Sequence, residues 1–333
     1  MPEPRFLVVR LGSLGDIVHT FPAVAGLRAS FPAAEIVWLT HPRWEELVAS
    51  SGLASEIWAV DSRDLACVRR VLRKIRGANW TAAIDYQGLW KSATLPFLGG
   101  VAKRIGFSSA TIREFGVPIL YTERVACHTT HIADQNGELT LRTGATRAVA
   151  DVKLQVAQTD CQRVRKELQE QGVTRYVVLS PGGGWRAKCW PVERFGALCE
   201  KIRCELGIPC VINYGPGEES LVAAVQSASG DARPVTYDGE MGPLMALLHG
   251  AQCIVGGDTG PLHLGIALGT RGVALFGPTD PARNGPYLPQ HIVLRSPDAH
   301  TTYGRGDATD PSLLALSVEE VFDAVRKSVG ETA

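Results

Sequence analysis

Short apolar runs alternate with longer amphipathic stretches from the start of the chain. Phe6–Val9, Ile36–Leu39, Ile57–Val60 and Ala82–Ile84 are runs of the kind that form buried strands. Between them Ile17–Ala29, Arg43–Ser50, Leu65–Arg76 and Leu89–Leu98 carry apolar residues at helical spacing. This alternation predicts a parallel sheet with helices on both faces. The rhythm then restarts. Tyr176–Leu179, Cys210–Asn213, Val235–Tyr237, Cys253–Val255 and Val273–Phe276 are the expected strands of a second sheet. Phe195–Leu206, Glu218–Ser227, Pro243–Leu248 and Leu262–Leu268 are its expected helices. The boundary is expected within Gly144–Lys153, before a helix around Cys161–Gln171, so that residues 1–150 and 151–333 form two domains. The terminal helix Val318–Val329 is able to pack back on the first domain. The fold class read here is α/β, two Rossmann-like domains facing across a cleft. Ligands bind at the carboxyl edge of open parallel sheets, so chemistry is sought in the loops that follow strands.

Composition narrows the function classes. With 333 residues, 45% hydrophobic and 20% charged, the chain reads as an ordinary globular protein of about two domains. Lys+Arg and Asp+Glu are 34 each, so the overall basic excess of a nucleic-acid binder is missing. The first 150 residues hold 17 basic and 13 acidic side chains, and the rest hold 17 and 21. A mildly basic front half suits an acidic substrate. The 8 cysteines form no Cys-x-x-Cys and no zinc-like spacing with histidine. They point to a reducing compartment and no metal site. Phe6–Val9 is too short for a signal-peptide core, and no run of 18 uncharged apolar residues occurs.

Six loops carry candidate chemistry in the two halves. The first, Arg10-Leu-Gly-Ser-Leu-Gly-Asp16, has Gly12 and Gly15, which allow a ligand close to the backbone. Asp16 opens the next helix, where a carboxylate is a common helix-start device. The third glycine of G-x-G-x-x-G is missing and strand two ends in Thr40-His41, without a ribose-binding acid. This counts against a nicotinamide enzyme. The second loop, Ser180–Pro191, joins three glycines to Arg186 and Lys188. It is either a phosphate cradle or a flexible turn with solvated cations. The third runs Val255-Gly-Gly-Asp-Thr-Gly-Pro-Leu-His263. Its helix start at Thr259–Gly260 suits a diphosphate, with Asp258 binding sugar hydroxyls. The alternative is simple capping by Asp258 and Thr259, with His263 a core histidine. In Asn213–Glu219, Glu218 or Glu219 takes a ribose diol or is only a first-turn acid. Phe276–Pro281 is a rigid turn. In the front half Asp85–Ser92 follows strand four. Arg63, Arg69, Arg70, Arg73, Lys74 and Arg76 make either a solvated helix face or a seat for an anionic acceptor.

These residues resemble a known family. Arg10–Asp16 followed by His19-Thr-Phe-Pro22 resembles the opening motif of the ADP-heptose:lipopolysaccharide heptosyltransferases, glycosyltransferase family 9. Gly256-Gly-Asp-Thr-Gly-Pro-Leu-His263 and Phe276-Gly-Pro-Thr-Asp-Pro281 resemble its donor-site signatures, and Lys188-Cys-Trp-Pro191 its lysine motif. Asp85-Tyr-Gln-Gly-Leu-Trp-Lys-Ser92 resembles the heptosyltransferase I branch. The resemblance implies a GT-B fold and an inverting, metal-independent transfer from ADP-heptose, with no cofactor. The implied acceptor is a Kdo residue on lipid A, at the cytoplasmic face of the inner membrane. Asp16 would be the general base. Lys188, Gly183, Gly184 and the Thr259–Gly260 helix start would hold the diphosphate. Asp258 would contact the heptose, Glu218 the ribose and Met241 the adenine, with His263 nearby. Ser13, Arg63, Arg69, Arg70, Arg73, Gln87 and Lys91 would face the acceptor. Gly183 and Gly184 stand where the family often has hydroxyl residues, and Thr301–Asp310 lacks the cysteine often found there.

Three other readings compete. A transferase of the same fold with another sugar or acceptor would separate by product mass. A two-lobed binding protein would bind tightly without turnover and would need an export signal. A nicotinamide oxidoreductase would need the missing fingerprint.

Overall fold

In the computed structural model, which describes residues 3–112, 114–287, 290–302, 304, 306 and 308–330, the apolar runs build two separate parallel sheets. The first contains β1 (Arg5–Val9), β2 (Glu35–Thr40), β3 (Glu56–Ala59), β4 (Ala82–Asp85), β5 (Arg104–Phe107) and β6 (Glu123–Val125). The second contains β7 (Val177–Ser180), β8 (Cys210–Asn213), β9 (Val235–Tyr237), β10 (Cys253–Gly257), β11 (Arg271–Phe276) and β12 (Ile292–Arg295). The orders are β3-β2-β1-β4-β5-β6 and β12-β11-β10-β7-β8-β9. Counted from its own first strand, each sheet therefore has the doubly wound order 3-2-1-4-5-6. The strand order reverses between β1 and β4 in one sheet and between β7 and β10 in the other. A ligand crevice is expected at each of those places.

The central strands read as unbroken apolar runs because helices cover both faces. Phe6–Val9, Ile36–Leu39, Val177–Leu179 and Cys253–Val255 are fully buried. Sequence reasoning passed over β5, β6 and β12. Two of these are edge strands, whose alternation is diluted by Glu123, Arg124 and Arg295. The single helix expected over Ile17–Ala29 is two, Leu14–Val18 and Phe21–Ser30. Pro22 is the cause: it has no N–H for the carbonyl of Val18, and its ring would clash there.

The chain divides into compact units at Gln155 and Val156, a few residues beyond the expected boundary. Ala150 N–H bonds Pro22 O at 3.1 Å and Gln155 N–H bonds Ser50 O at 2.8 Å, which ties that connector to the front unit. The terminal helix runs over Val318–Gly330. It lays Val321, Phe322 and Val325 into the core of its own unit, with Val177, Leu198 and Val273. All eight cysteines are free thiols, and Cys210 and Cys253 are buried among apolar neighbours. Among the described residues no helix is long and apolar enough to cross a membrane, and no cluster of His, Cys, Asp and Glu is arranged to hold a metal.

Candidate functional site

In the front unit, Val9 of β1 lies opposite Asp85 of β4, so the loops that follow leave the sheet side by side. The β1 loop is organised by a buried cation. Arg10 donates through Nη1 to Tyr86 O, and its Nη2 meets Asp16 Oδ1 at 2.6 Å. The Ser13 N–H and hydroxyl donate to Asp16 Oδ2 at 3.1 and 2.9 Å. Asp16 is thus the first-turn acid that helix chemistry expects, yet its side chain is 47% exposed. Burial pushes its carboxyl up, but Arg10, both Ser13 donors and His19 outweigh that and hold it below the ordinary carboxylate range. At neutral pH it is an ionised acceptor with solvent access. Gly12 is required here: its φ is +153°, and a Cβ would lie 2.9 Å from Trp44 Nε1.

The β4 loop braces the β1 loop. Gln87 Oε1 accepts from Leu11 N–H at 2.8 Å. Asp85 is buried and accepts from Gln87 N, Gly88 N, Ser92 Oγ and Tyr121 OH. Burial raises its pKa against the pull of those donors. Lys91 is exposed in the first turn of helix Trp90–Leu98.

The structure does not gather the basic stretch at this crossover. Arg63 is exposed in the turn after β3, an edge strand separated from β1 by β2. Arg69, Arg70 and Arg73 are exposed along helix Leu65–Arg76, with Arg73 about 12 Å from the helix start at 1.5 Å per residue. Lys74 and Arg76 have local roles, over the Trp58 ring at 4.9 Å and on Leu98 O at 2.9 Å.

In the back unit, Gly256 of β10 pairs with Ser180 of β7, again bringing two loops together. Lys188 Nζ meets Asp258 Oδ2 at 3.1 Å and lies 4.3 Å from the Trp185 ring centroid. His263 Nε2–H donates to Asp258 Oδ1 at 2.8 Å, and Asn284 Nδ2 donates to Oδ2 at 3.4 Å. Lys188 and Asp258 side chains are only 11% and 8% exposed. Burial pushes the Asp258 carboxyl up, but His263 and Lys188 hold it far below its usual range. A carboxylate offers about four acceptor positions, so three donors leave room for one more.

Capping does not explain this loop. Thr259 is the N-cap of helix Gly260–Ala267, yet its side chain makes no capping bond and its buried Oγ1 has no partner among the described residues. The first N–H groups of a helix have no intrahelical acceptor. The hydroxyl and these N–H groups together ask for an anion. Gly183 and Gly184 lie in the adjoining loop, where a Cβ at Gly183 would be 2.9 Å from Cys189 Sγ and one at Gly184 would meet nothing.

The two acids after β8 separate clearly. Glu218 is half-buried and accepts from Gly215 N–H at 2.8 Å, so close to the β7 loop that a Cβ on Gly182 would fall 2.0 Å from Oε1. Glu219 is exposed and turns back to Gly217 N–H at 3.1 Å. Met241 is the half-buried first residue of helix Met241–Gly250, after edge strand β9.

Sequence reasoning missed three partners. Arg10 had a signal, a cation ending an apolar run. Trp185 stands three residues before Lys188. Asn284 had none, being 26 residues from Asp258 and brought to it only by the fold.

The model of glycosyltransferase family 9 (heptosyltransferase) matches residues 68–309. Lipopolysaccharide heptosyltransferase 3 of Escherichia coli K12 is 23% identical, over 96% of both chains. Lipopolysaccharide heptosyltransferase 1 of the same strain is 27% identical, over 88% of this chain and 94% of its own. The solved structure of E. coli ADP-heptose lps heptosyltransferase II superposes with a TM-score of 0.83 at 18% identity, covering 98% of this chain and 99% of that one, which supports a shared GT-B fold. With its family model matched over most of the chain, and its fold shared end to end, this chain belongs to glycosyltransferase family 9, the heptosyltransferases.

Proposed function

We propose that the protein transfers heptose, with inversion, from ADP-heptose to a Kdo residue of the lipopolysaccharide inner core, at the cytoplasmic face of the inner membrane. The observation that carries this reading is the buried Lys188–Asp258–His263 group beside the Thr259–Gly260 helix start. Fixed positive charge and open N–H donors together suit a leaving diphosphate on which charge builds. Lys188, Thr259, Gly260 and the backbone at Gly183 and Gly184 bind the diphosphate. Asp258 positions Lys188 and offers its remaining lone pair to a heptose hydroxyl. His263 holds Asp258, Glu218 takes the ribose diol and Met241 lies against the adenine. On the front unit, Asp16 removes the proton of the acceptor hydroxyl, and Ser13, Gln87 and Lys91 bind the acceptor around it. Arg63, Arg69, Arg70 and Arg73 attract its phosphates from further out.

The test is donor screening by product mass. Transfer from ADP-heptose to a Kdo-lipid A acceptor is expected. Transfer from a different nucleotide sugar, with none from ADP-heptose, would overturn the assignment. Matches to relatives named heptosyltransferase 1 and 3 make the choice of acceptor the sharper arm of that screen.

Two further results are expected. Activity should survive exhaustive chelation, because Lys188 and backbone N–H groups take the diphosphate charge. Loss with EDTA and recovery with magnesium or manganese would contradict this. Replacing Arg69, Arg70 and Arg73 together by Ser should raise KM for a phosphorylated lipid acceptor about tenfold and leave donor KM near normal, because exposed cations act at long range on charged partners. Equal loss for both substrates would refute the division of roles.

A further inference from the structure

We propose that one face of the front unit docks on an anionic phospholipid bilayer, with Phe115 and Ile119 entering the boundary between headgroups and acyl chains. The proposal rests on the reading of a lipid-borne acceptor, but its test reads binding and not catalysis.

Five of the ten large hydrophobic side chains exposed among the described residues fall between residues 90 and 119: Trp90, Phe97, Leu98, Phe115 and Ile119. Scattered exposed hydrophobes need no explanation, whereas a contiguous patch does. The segments that carry these five adjoin one another. Trp90 N–H bonds Glu114 Oε2 at 2.7 Å, and a Cβ on Gly116 would sit 3.1 Å from the Trp90 ring. Arg104 lies 5.4 Å from the Phe97 ring centroid and its Nε bonds Leu120 O at 2.7 Å, linking helix Trp90–Leu98 to the turn Val117–Leu120. Phe115 is 99% and Ile119 71% exposed, so neither supports the core.

The occupant is indicated by what lies alongside. Helix Leu65–Arg76 packs next to helix Trp90–Leu98, so closely that a Cβ on Gly99 would be 2.3 Å from Ile75 Cγ2. Its outer face carries Arg69, Arg70, Arg73, Lys74 and Arg76, and the helix contains no acid. Both helices contribute to one core cluster, through Cys67, Val71, Ile75 and Leu95, and so cover the same side of the sheet. A cationic strip beside exposed Trp, Phe and Ile matches an anionic bilayer, where aromatic rings settle at headgroup level and basic side chains are drawn to the surface.

The test uses the whole protein and sucrose-loaded vesicles of phosphatidylcholine, with or without about one-third phosphatidylglycerol. The protein should sediment with the anionic vesicles, less so in high salt, and weakly with neutral ones. The double variant Phe115→Ser, Ile119→Ser should lower the partition coefficient by about tenfold or more. Phe115→Trp should retain it. Melting temperatures should be unchanged, and so should turnover on a soluble acceptor fragment without acyl chains. Equal binding of variant and wild type, or no preference for anionic vesicles, would overturn the proposal. So would a wild-type dimer that the double variant dissolves, since the patch would then cover a second copy. A protein that binds vesicles as expected but transfers no heptose would instead remove the assigned function and leave the docking surface standing.

Discussion

Asp16→Asn should lower kcat by roughly 10²–10⁴-fold, the usual contribution of a general base. The carboxylate ends the β1 loop, is ionised at neutral pH and remains half-exposed, so a substrate hydroxyl can reach it. An amide of the same shape cannot take a proton. The variant will also melt somewhat earlier. Arg10 is buried and would keep Tyr86 O but lose its ion partner, and an amide N–H₂ cannot accept from Ser13 N–H. A loss on the order of 1–2 kcal/mol is expected for such a half-exposed charged hydrogen bond. Turnover must therefore be measured well below the melting temperature. A purely structural Asp16 predicts that the stability loss appears and kcat stays near normal. Donor affinity should be unaffected in either case. The wild-type pH profile supplies a second check. Because the Asp16 pKa is depressed, it stays a base down to acidic pH, so the acid limb of kcat/KM should lie below about pH 4, the ordinary carboxylate range. An acid limb near neutrality would assign the base to another group.

The sheet centres were legible because strands covered on both faces must be continuously apolar, as Phe6–Val9 and Cys253–Val255 are. The loops at the two crossovers were legible for a related reason: glycines and charges directly after such strands have few structural uses. The arrangement inside the loops was not. Asp16 and Asp258 look alike in sequence, each an acid opening a helix. One is half-exposed beside a buried arginine, and the other is sealed between Lys188, His263 and Asn284. Glu218 and Glu219 could not be separated from their order alone. The close approach at Gly182 distinguishes them, and it depends on β7 and β8 being neighbours. The basic stretch read equally as a solvated helix face or an acceptor seat, because spacing alone does not say where a helix points its cations. Helix Leu65–Arg76 carries five of the six, with Arg63 in the turn before it, and two of the five also meet local partners.

Lys188→Ala should cost about 2–4 kcal/mol of transition-state stabilisation, or roughly 30–900-fold in kcat/KM, as expected for losing a fixed cation at a leaving phosphate. The loss should appear in kcat and in affinity for ADP, since the charge acts on both the leaving group and the product. The same substitution tests the coupling with Asp258. That carboxyl is held far below its usual pKa by His263 and Lys188, so its contribution to stability is present above about pH 4 and is lost as pH falls through the folded value. Without Lys188 the folded pKa rises toward the ordinary one, and acid unfolding should begin at higher pH than in wild type. A second variant, Lys188→Arg, keeps the charge near Asp258 and over the Trp185 ring but changes its reach toward a phosphate. It should restore most of the acid stability and little of the rate. If Lys188→Ala shifts acid unfolding but turns over like wild type, Lys188 serves only to neutralise Asp258. The anion site would then reduce to the helix start at Thr259–Gly260 and the glycine loop.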